Sequence, residues 1–187
     1  MKLTILGCLS AAPNKSSFPS AQILEIRGSS FLIDCGEGTQ IQLRRCSVKL
    51  NSIEHIFISH LHGDHFFGLP GLISSLRLLG RTKPLNIYGP VGIKKVITLM
   101  LKVGDSWTNY QLNINELSSS ESIVLLENIK FKVETIPLNH RIYTNGFLFT
   151  EYITEKKLIL KNAIDYGIDK TQFSGIKQGK DGISYKG

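Results

Sequence analysis

Three histidines and an aspartate stand within six consecutive residues, in the run His60-Leu61-His62-Gly63-Asp64-His65, directly after an apolar, strand-like segment. Residues two apart at the end of a strand project to the same side, so His60 and His62 are placed to bind one metal ion. Gly63 would let the backbone turn sharply, so that Asp64 and His65 face a second ion. The spacing predicts a site for two metal ions.

Imidazole nitrogens combined with a carboxylate oxygen suit zinc, and iron or manganese would also accept this ligand set. We take zinc as the expected metal, with two ions in the site. Two alternatives are open: the histidines only cap and solvate a loop, or they hold one structural zinc. Ordinary loops rarely concentrate ligand side chains in this way, so we favour the reactive site.

Two further residues at strand ends are candidates for the same site. His140 follows the strand-like run 130–136 and would complete a three-histidine site, although a lone histidine in such a place is more often a surface residue. Asp34 enters a glycine-rich turn, from which a carboxylate can orient a ligand histidine. The alternative is an aspartate that hydrogen-bonds its own turn, and Glu37 and Gln40 share that ambiguity.

The elements that must position these residues are short strands, followed by helices that alternate with strands. Apolar runs between Gly, Pro, Ser and Asn clusters predict strands at 3–6, 22–26, 30–33, 55–58, 85–88, 110–115, 122–126, 130–136 and 146–151. Helical periodicity predicts helices at 69–79, 92–103 and 158–166. The fold class is therefore mixed α and β. His55 is interpreted as part of a solvated turn, and residues 170–187, rich in Gly and Lys, as a mobile basic loop.

Composition indicates a globular protein with a basic charge balance, which suits a polyanionic partner but also any basic protein. Of the 187 residues, 42% are hydrophobic and 20% charged, which excludes the signature of a disordered chain. The net charge of +7 favours approach to nucleic acid. Three cysteines, an odd number, argue against a disulfide framework, so we expect a reducing, cytoplasmic location. No run approaches the roughly 20 apolar residues of a membrane span.

Three motifs together closely resemble ribonuclease Z. They are Asp34-Cys35-Gly36-Glu37-Gly38-Thr39-Gln40, then the run from His60 to His65 with Phe66-Phe67-Gly68-Leu69-Pro70-Gly71 behind it, then His140. The histidine-aspartate run alone indicates the broader metallo-β-lactamase superfamily, whereas the two glycine motifs narrow the match to the tRNA-processing branch. The resemblance implies an α+β metallo-β-lactamase fold, an αββα sandwich that is incomplete in this chain.

The resemblance also implies an activity: a zinc-dependent endoribonuclease that removes the 3′ trailer from precursor tRNA and leaves a 3′-hydroxyl on the tRNA. In that family pattern His60, His62 and His140 bind one zinc, and Asp64 and His65 bind the other. Asp64 is also the catalytic residue that assists the attacking water, a role that suits a carboxylate beside an acidified water molecule.

The resemblance implies a division of the chain as well. Residues 1–150 correspond to the N-terminal part of a metallo-β-lactamase domain. Residues 151–187 correspond to a helix and a basic arm that binds tRNA, in which Lys177 and Lys180 suit contacts with phosphates. Family members are commonly homodimers, so precursor tRNA and a second copy of the chain are the expected partners, without a membrane.

Two departures from the family pattern affect these expectations. The last metal ligands of the family have no counterpart after His140, so the second metal has only Asp64 and His65. We therefore expect the chain to be one part of a longer protein, or to be completed by a partner chain. The loop 12–20 also lacks the Pro-Ala-Lys-Glu-Arg-Asn pattern of many family members. The alternatives are another hydrolase of the same superfamily, for a small ester, thioester or cyclic phosphodiester, and a catalytically incomplete RNA-binding half.

Overall fold

The computed structural model describes residues 1–12, 14–152 and 157–185. The chain divides into two compact units, Met1–Glu151 and Tyr152–Gly187. Position 13 of the loop 12–20 and positions 153–156, 186 and 187 of the C-terminal segment lie outside the described residues. The larger unit contains all of the residues predicted as metal ligands.

A six-stranded sheet forms the centre of the larger unit, with its strands in chain order from one edge to the other. The strands are β1 (Lys2–Gly7), β2 (Ala21–Ile26), β3 (Ser29–Ile33), β4 (Ile53–Phe57), β5 (Leu85–Pro90) and β6 (Leu112–Leu117). The first three are antiparallel neighbours, whereas β3 to β6 run parallel. Because parallel strands end at the same edge of a sheet, the segments after β3 and β4 emerge side by side. The segment after β3 begins with Asp34, and the segment after β4 leads to His60.

A second, three-stranded antiparallel sheet packs against one face of the first. Its strands are β7 (Val124–Glu127), β8 (Phe131–Leu138) and β9 (Thr144–Glu151). Apolar side chains of both sheets form the core between them, because alternate residues of each strand face inward. This core contains Leu24, Ile26, Phe31, Phe57, Tyr88, Leu117, Phe131 and Val133.

Helices cover the other face of the six-stranded sheet. The helices of the larger unit are α1 (Thr39–Arg45), α2 (Gly63–Phe66), α3 (Leu69–Leu78) and α4 (Ile93–Val103). Three of them pack one apolar stripe against the sheet, through Leu43 of α1, Leu72 and Leu76 of α3, and Ile97 of α4. The described part of this unit therefore has a helical layer and two sheet layers, and the predicted mixed α and β class is confirmed.

The nine predicted strands and three predicted helices are confirmed, with bounds that differ by at most two residues. The short helices α1 and α2 were not predicted, because each has fewer residues than an apolar period needs. The backbone turns at Gly63 as expected, from the extended His62 into α2, and it does so without a positive φ. The interpretation of His55 is wrong: it lies in β4, and its ring packs beside Phe31 and Tyr88.

The smaller unit corrects the prediction of a mobile loop over 170–187. It contains α5 (Leu160–Asp165), a 3-10 turn (Lys170–Gln172) and α6 (Phe173–Lys177). The Gln172 side chain accepts a hydrogen bond from Ile183 N–H at 2.7 Å and donates to the same residue's carbonyl at 3.1 Å. A side-chain contact across eleven residues cannot be inferred from composition, and it ties the glycine-rich stretch to the helices.

Two segments near the end of β4, the loop after β3 and the stretch from Asp64 to Gly68, approach one another so closely that only glycine fits between them. A Cβ on Gly68, the residue before α3, would overlap the carbonyl oxygen of Gly36, and a Cβ on Gly36 would overlap that of Asp64. The same segments share hydrogen bonds, from Cys35 N–H to His65 O at 2.8 Å and from Gly68 N–H to Cys35 O at 2.9 Å. The glycines therefore allow backbone contacts that hold the histidine run against the loop after β3.

We expect Gly68→Ala to lower the free energy of unfolding by about 1–3 kcal/mol, the usual cost of overpacking a tight contact. Gly71→Ala is the matched control in the same helix, because its Cβ would meet Gln40 at an ordinary 3.5 Å. Alanine there should stabilise the helix by about 0.5–1 kcal/mol. Urea unfolding of the two variants measures both changes, and equal effects would show that the close approach at Gly68 is unimportant.

The three cysteines differ in reactivity according to their burial. All are free thiols, and Cys35 is buried whereas Cys8 and Cys46 are exposed. Burial raises the pKa of the Cys35 thiol to about 12, and the thiolate is the reactive form. We expect iodoacetamide at pH 8 to alkylate two thiols in the folded chain and three in guanidinium. Mass spectrometry of the labelled peptides checks this, and rapid labelling of Cys35 in the folded chain would contradict it.

Candidate metal centre

His60 and His62 lie in the loop that connects β4 to α2, at the carboxyl edge of the parallel strands. His60 is 8% exposed, and His62 is half-buried. The Nε2 atom of His60 lies 3.0 Å from the Nδ1 atom of His62. Two residues two positions apart thus direct ring nitrogens at a common point, as the spacing in the sequence predicted.

His140 reaches the same point from the second sheet. It stands between β8 and β9, and its ring centroid lies 5.0 Å from that of His60 and 5.3 Å from that of His62. One ligand atom from each of the three histidines lies within 4.8 Å of the others. The loop is held to the histidine run by a backbone hydrogen bond from Asn145 N–H to Ser59 O at 3.0 Å.

The three-histidine cluster fits a single divalent metal ion. In a tetrahedral zinc site with Zn–N bonds of about 2.0–2.1 Å, two ligand nitrogens are about 3.3 Å apart. The 3.0 Å between the His60 and His62 nitrogens is close to that distance. Burial, followed by the neighbouring His65, lowers the pKa of His60 to about 4. The ring is therefore neutral at pH 7, as a metal ligand must be.

The carboxylate of Asp34 joins the loop after β3 to the segment from Ser59 to His65. Asp34 is buried and adopts a left-handed backbone conformation, with φ of 56°. Its Oδ2 accepts hydrogen bonds from His65 Nδ1 at 2.6 Å, Ser20 Oγ at 3.0 Å and Ser59 Oγ at 3.1 Å. Its Oδ1 accepts one from Ser59 N–H at 2.8 Å. The partners belong to other segments, so these hydrogen bonds are not those of a local aspartate turn.

His65 and Asp64 form a second group beside the three histidines. The Nε2 atom of His65 lies 3.5 Å from Asp64 Oδ2, and the ring of His65 lies 3.9 Å from that of His60 between centroids. Burial acts to lower the pKa of His65, but the hydrogen bond and the negative charge of Asp34 outweigh it and raise the pKa. Since Nδ1 is occupied by Asp34, Nε2 is the nitrogen that faces Asp64.

Ser59 and Arg141 also contact these residues, and the sequence analysis did not select either of them. Ser59 Oγ lies 3.0 Å from His60 Nδ1, and Arg141 Nη2 lies 3.2 Å from His62 Nε2. Their only signal in the sequence is position, since each directly neighbours a candidate ligand histidine. A serine or an arginine beside a histidine is too common to indicate a contact without the fold.

The remaining candidates are Glu37, Gln40, Lys177 and Lys180. Glu37 is exposed, and Gln40 accepts a hydrogen bond from Ser75 Oγ at 2.7 Å, which links α1 to α3. Lys177 and Lys180 belong to the smaller unit and are both exposed. Their contacts with RNA stay a prediction, as do the ligand roles of the histidines and of Asp64.

Comparison with known proteins identifies the family of the chain. The family model described as "Anti-Pycsar protein Apyc1" matches residues 1–174. Ribonuclease Z of Bacteroides fragilis is 41% identical over 186 residues, which are 100% of this chain and 61% of that protein. Ribonuclease Z of Methanococcus aeolicus is 37% identical, over 100% of this chain and 57% of that protein. The chain thus spans about three fifths of the length of the curated relatives that it matches.

Solved structures agree with the sequence relatives. The short form of human tRNase Z has a TM-score of 0.75 and 29% identity, and the match covers 98% of this chain and 84% of that one. The metallo-β-lactamase fold protein YhfI of Bacillus subtilis has a TM-score of 0.61 at 19% identity, over 79% of this chain and 57% of that one, which supports the fold alone. The predicted α+β metallo-β-lactamase fold is therefore confirmed, and this fold implies a metal ion. The chain belongs to the family that the Apyc1 model describes; it is a homologue of ribonuclease Z and has the metallo-β-lactamase fold.

Proposed function

We propose that the chain is the metal-binding part of a zinc-dependent endoribonuclease that removes the 3′ trailer from precursor tRNA and leaves a 3′-hydroxyl on the tRNA. The observation that carries the proposal is the convergence of His60, His62 and His140 beside the Asp34–His65 pair. Kinship with ribonuclease Z at 41% identity supports the choice of substrate. The net charge of +7 favours approach to a polyanion.

In this proposal His60, His62 and His140 hold one zinc ion, and Asp64 and His65 contribute to a second. Such ions supply an acidified water molecule at neutral pH and offset the negative charge that develops on the phosphate. The donor set of imidazoles and one carboxylate suits zinc. The number and identity of the ions belong to the proposal.

The side chains of this chain have separate tasks in the reaction. Asp34 holds the His65 ring through Nδ1, which leaves Nε2 directed toward the site. Asp64 is partly exposed, and its Oδ2 atom accepts the proton of the attacking water as general base. The buried carboxylate of Asp34 thus positions His65, and the half-buried carboxylate of Asp64 takes part in proton transfer.

The smaller unit is proposed to bind the body of the tRNA. Lys177 and Lys180 are exposed there, and lysines on a glycine-containing segment suit contacts with phosphates that carry no sequence information. A homodimeric assembly and a cytoplasmic location complete the proposal. The described residues include no helix that is long and apolar enough to cross a membrane.

Another hydrolase of the same fold, for a small ester, thioester or cyclic phosphodiester, is the second candidate, because the matching family model is not named for tRNA processing. Among these substrates we take the cyclic phosphodiester first. The bond to be broken is also a phosphodiester, so the same ligand residues would serve. A catalytically incomplete RNA-binding half is the remaining alternative, since the second metal has only two ligands among the predicted residues.

The direct test is incubation of the zinc-loaded chain with a 3′-extended precursor tRNA and, separately, with a cyclic nucleotide. We expect cleavage after the discriminator nucleotide, and loss of roughly 100-fold or more of the rate in Asp64→Asn, because general-base catalysis contributes at least that factor. Asp105→Asn is the matched control, since Asp105 is exposed after α4 and asparagine tolerates its positive φ. Mapping of the product ends identifies the cleaved bond. Cleavage of the cyclic nucleotide without cleavage of precursor tRNA would contradict tRNA as the substrate.

Zinc binding tests the ligand assignment without reference to activity. We expect His140→Ala to weaken the affinity for zinc by roughly 10-fold or more, because the loss of a ligand should cost at least as much as the loss of a residue that orients one. Asn139→Ala, its exposed neighbour, should bind zinc as the unchanged chain does. Competition with a chromogenic chelator gives the affinities, and circular dichroism verifies folding. Equal affinities in the two variants would remove His140 from the metal site.

A further inference from the structure

Arg141 lies at the edge of the candidate metal centre, on the loop between β8 and β9. Its guanidinium Nη2 donates toward Nε2 of His62 at 3.2 Å, although the two residues are far apart in sequence. The residue is exposed, so the rest of its side chain faces solvent. Arg141 thus places a permanent positive charge beside the histidines and in reach of a ligand from solution.

The loop that carries Arg141 is anchored at both ends. On one side, the ring of His140 packs edge-on against His60 and His62. On the other, β9 begins at Thr144, which pairs with Leu138 of β8, and Thr144 Oγ1 donates to Ile142 O at 2.9 Å. The backbone on each side of Arg141 is therefore held, and the contact with His62 directs the guanidinium toward the histidines, where a substrate would have to be oriented.

Two other arginines of the chain, Arg27 and Arg81, have acceptors that account for their charge. Arg27 pairs with Glu151 at 2.6 Å, and the buried guanidinium of Arg81 donates to the carbonyls of Lys83 at 2.8 Å and Pro84 at 2.6 Å. Within the described part of the chain, Arg141 has no carboxylate partner, and only one of its five N–H groups is directed at a protein atom. Its free donors form the planar fork that matches two oxygens of a phosphate.

We propose that Arg141 binds the non-bridging oxygens of the phosphodiester that is cleaved at this site. This inference rests on the proposed function, and it adds a residue of this chain that touches the substrate. Arg141 positions the phosphorus atom beside the three histidines and offsets the negative charge that grows on its oxygens during attack. When His62 binds a metal ion, its Nε2 either carries a proton or is itself the ligand atom, so all five donors of Arg141 are free for the phosphate.

A purely structural role, in which Arg141 only orients His62, makes a different set of predictions. Loss of a residue that orients a metal ligand typically weakens metal affinity by 10–100-fold. Loss of a residue that binds phosphate leaves metal affinity unchanged and weakens the binding of the anion. Zinc affinity and phosphate affinity therefore separate the two roles, and neither depends on turnover.

In the experiment, inorganic phosphate is titrated into the zinc-loaded chain, and isothermal titration calorimetry gives the affinity for phosphate. We expect Arg141→Met to weaken phosphate binding by roughly 10-fold or more, the usual contribution of a charge-assisted hydrogen bond, and Arg141→Lys to weaken it less. Arg77→Met is the matched control, because Arg77 is exposed in the last turn of α3, away from the histidine loop. Zinc affinity should be the same in all four proteins.

Three results would overturn the assignment: equal phosphate affinities in Arg141→Met and Arg77→Met, no phosphate binding by the unchanged chain, or weaker zinc binding that accounts for the loss. Cleavage of precursor tRNA by the same four proteins keeps the two proposals apart. Phosphate binding that depends on Arg141 without tRNA cleavage would uphold Arg141 and contradict the proposed substrate. Cleavage of precursor tRNA that is unaffected in Arg141→Met would uphold the proposed substrate and contradict the role of Arg141.

Discussion

The carboxylate of Asp34 accepts hydrogen bonds from Ser20, Ser59 and His65. It thereby connects its own loop to the loop that ends at Ser20 and to the segment from Ser59 to His65. A buried carboxylate is costly unless its oxygens are satisfied, so the loops and the charge stabilise one another. The orientation of His65 and the start of the histidine run both depend on this arrangement. The left-handed backbone of Asp34 is the local strain that allows the side chain to point back into the site.

Backbone contacts supply the rigidity that side chains alone would not. The approach of Gly36 and Gly68 lets the loop after β3 lie directly on the turn that follows the histidines. The parallel pairing of β3 with β4 brings these two loops to one edge of the sheet, and the glycines remove the last steric obstacle. Two motifs that are more than twenty residues apart thus become one surface.

Much of this could be predicted from sequence, and the reasons are specific. The strands were recognisable because their apolar runs are separated by clear turn residues, and the run from His60 to His65 was recognisable because ligand side chains rarely cluster by chance. The hydrogen bond of Asp34 to His65 and the contact of Arg141 with His62 depend on how two sheets pack, which no local pattern encodes. The glycine-rich stretch after position 170 was misread for the same reason, since Gln172 holds it by a contact eleven residues away.

The position of His140 has a consequence for how the two sheets stay together. His60 and His62 follow a strand of the six-stranded sheet, whereas His140 follows a strand of the three-stranded sheet. An ion held by all three imidazoles would act as a cross-link that closes a loop of about 80 residues, and such a closure lowers the entropy of the denatured chain much as a disulfide does. The metal centre would then fasten the sandwich of sheets in addition to serving its chemistry, so that catalytic competence and resistance to unfolding would be acquired in the same step.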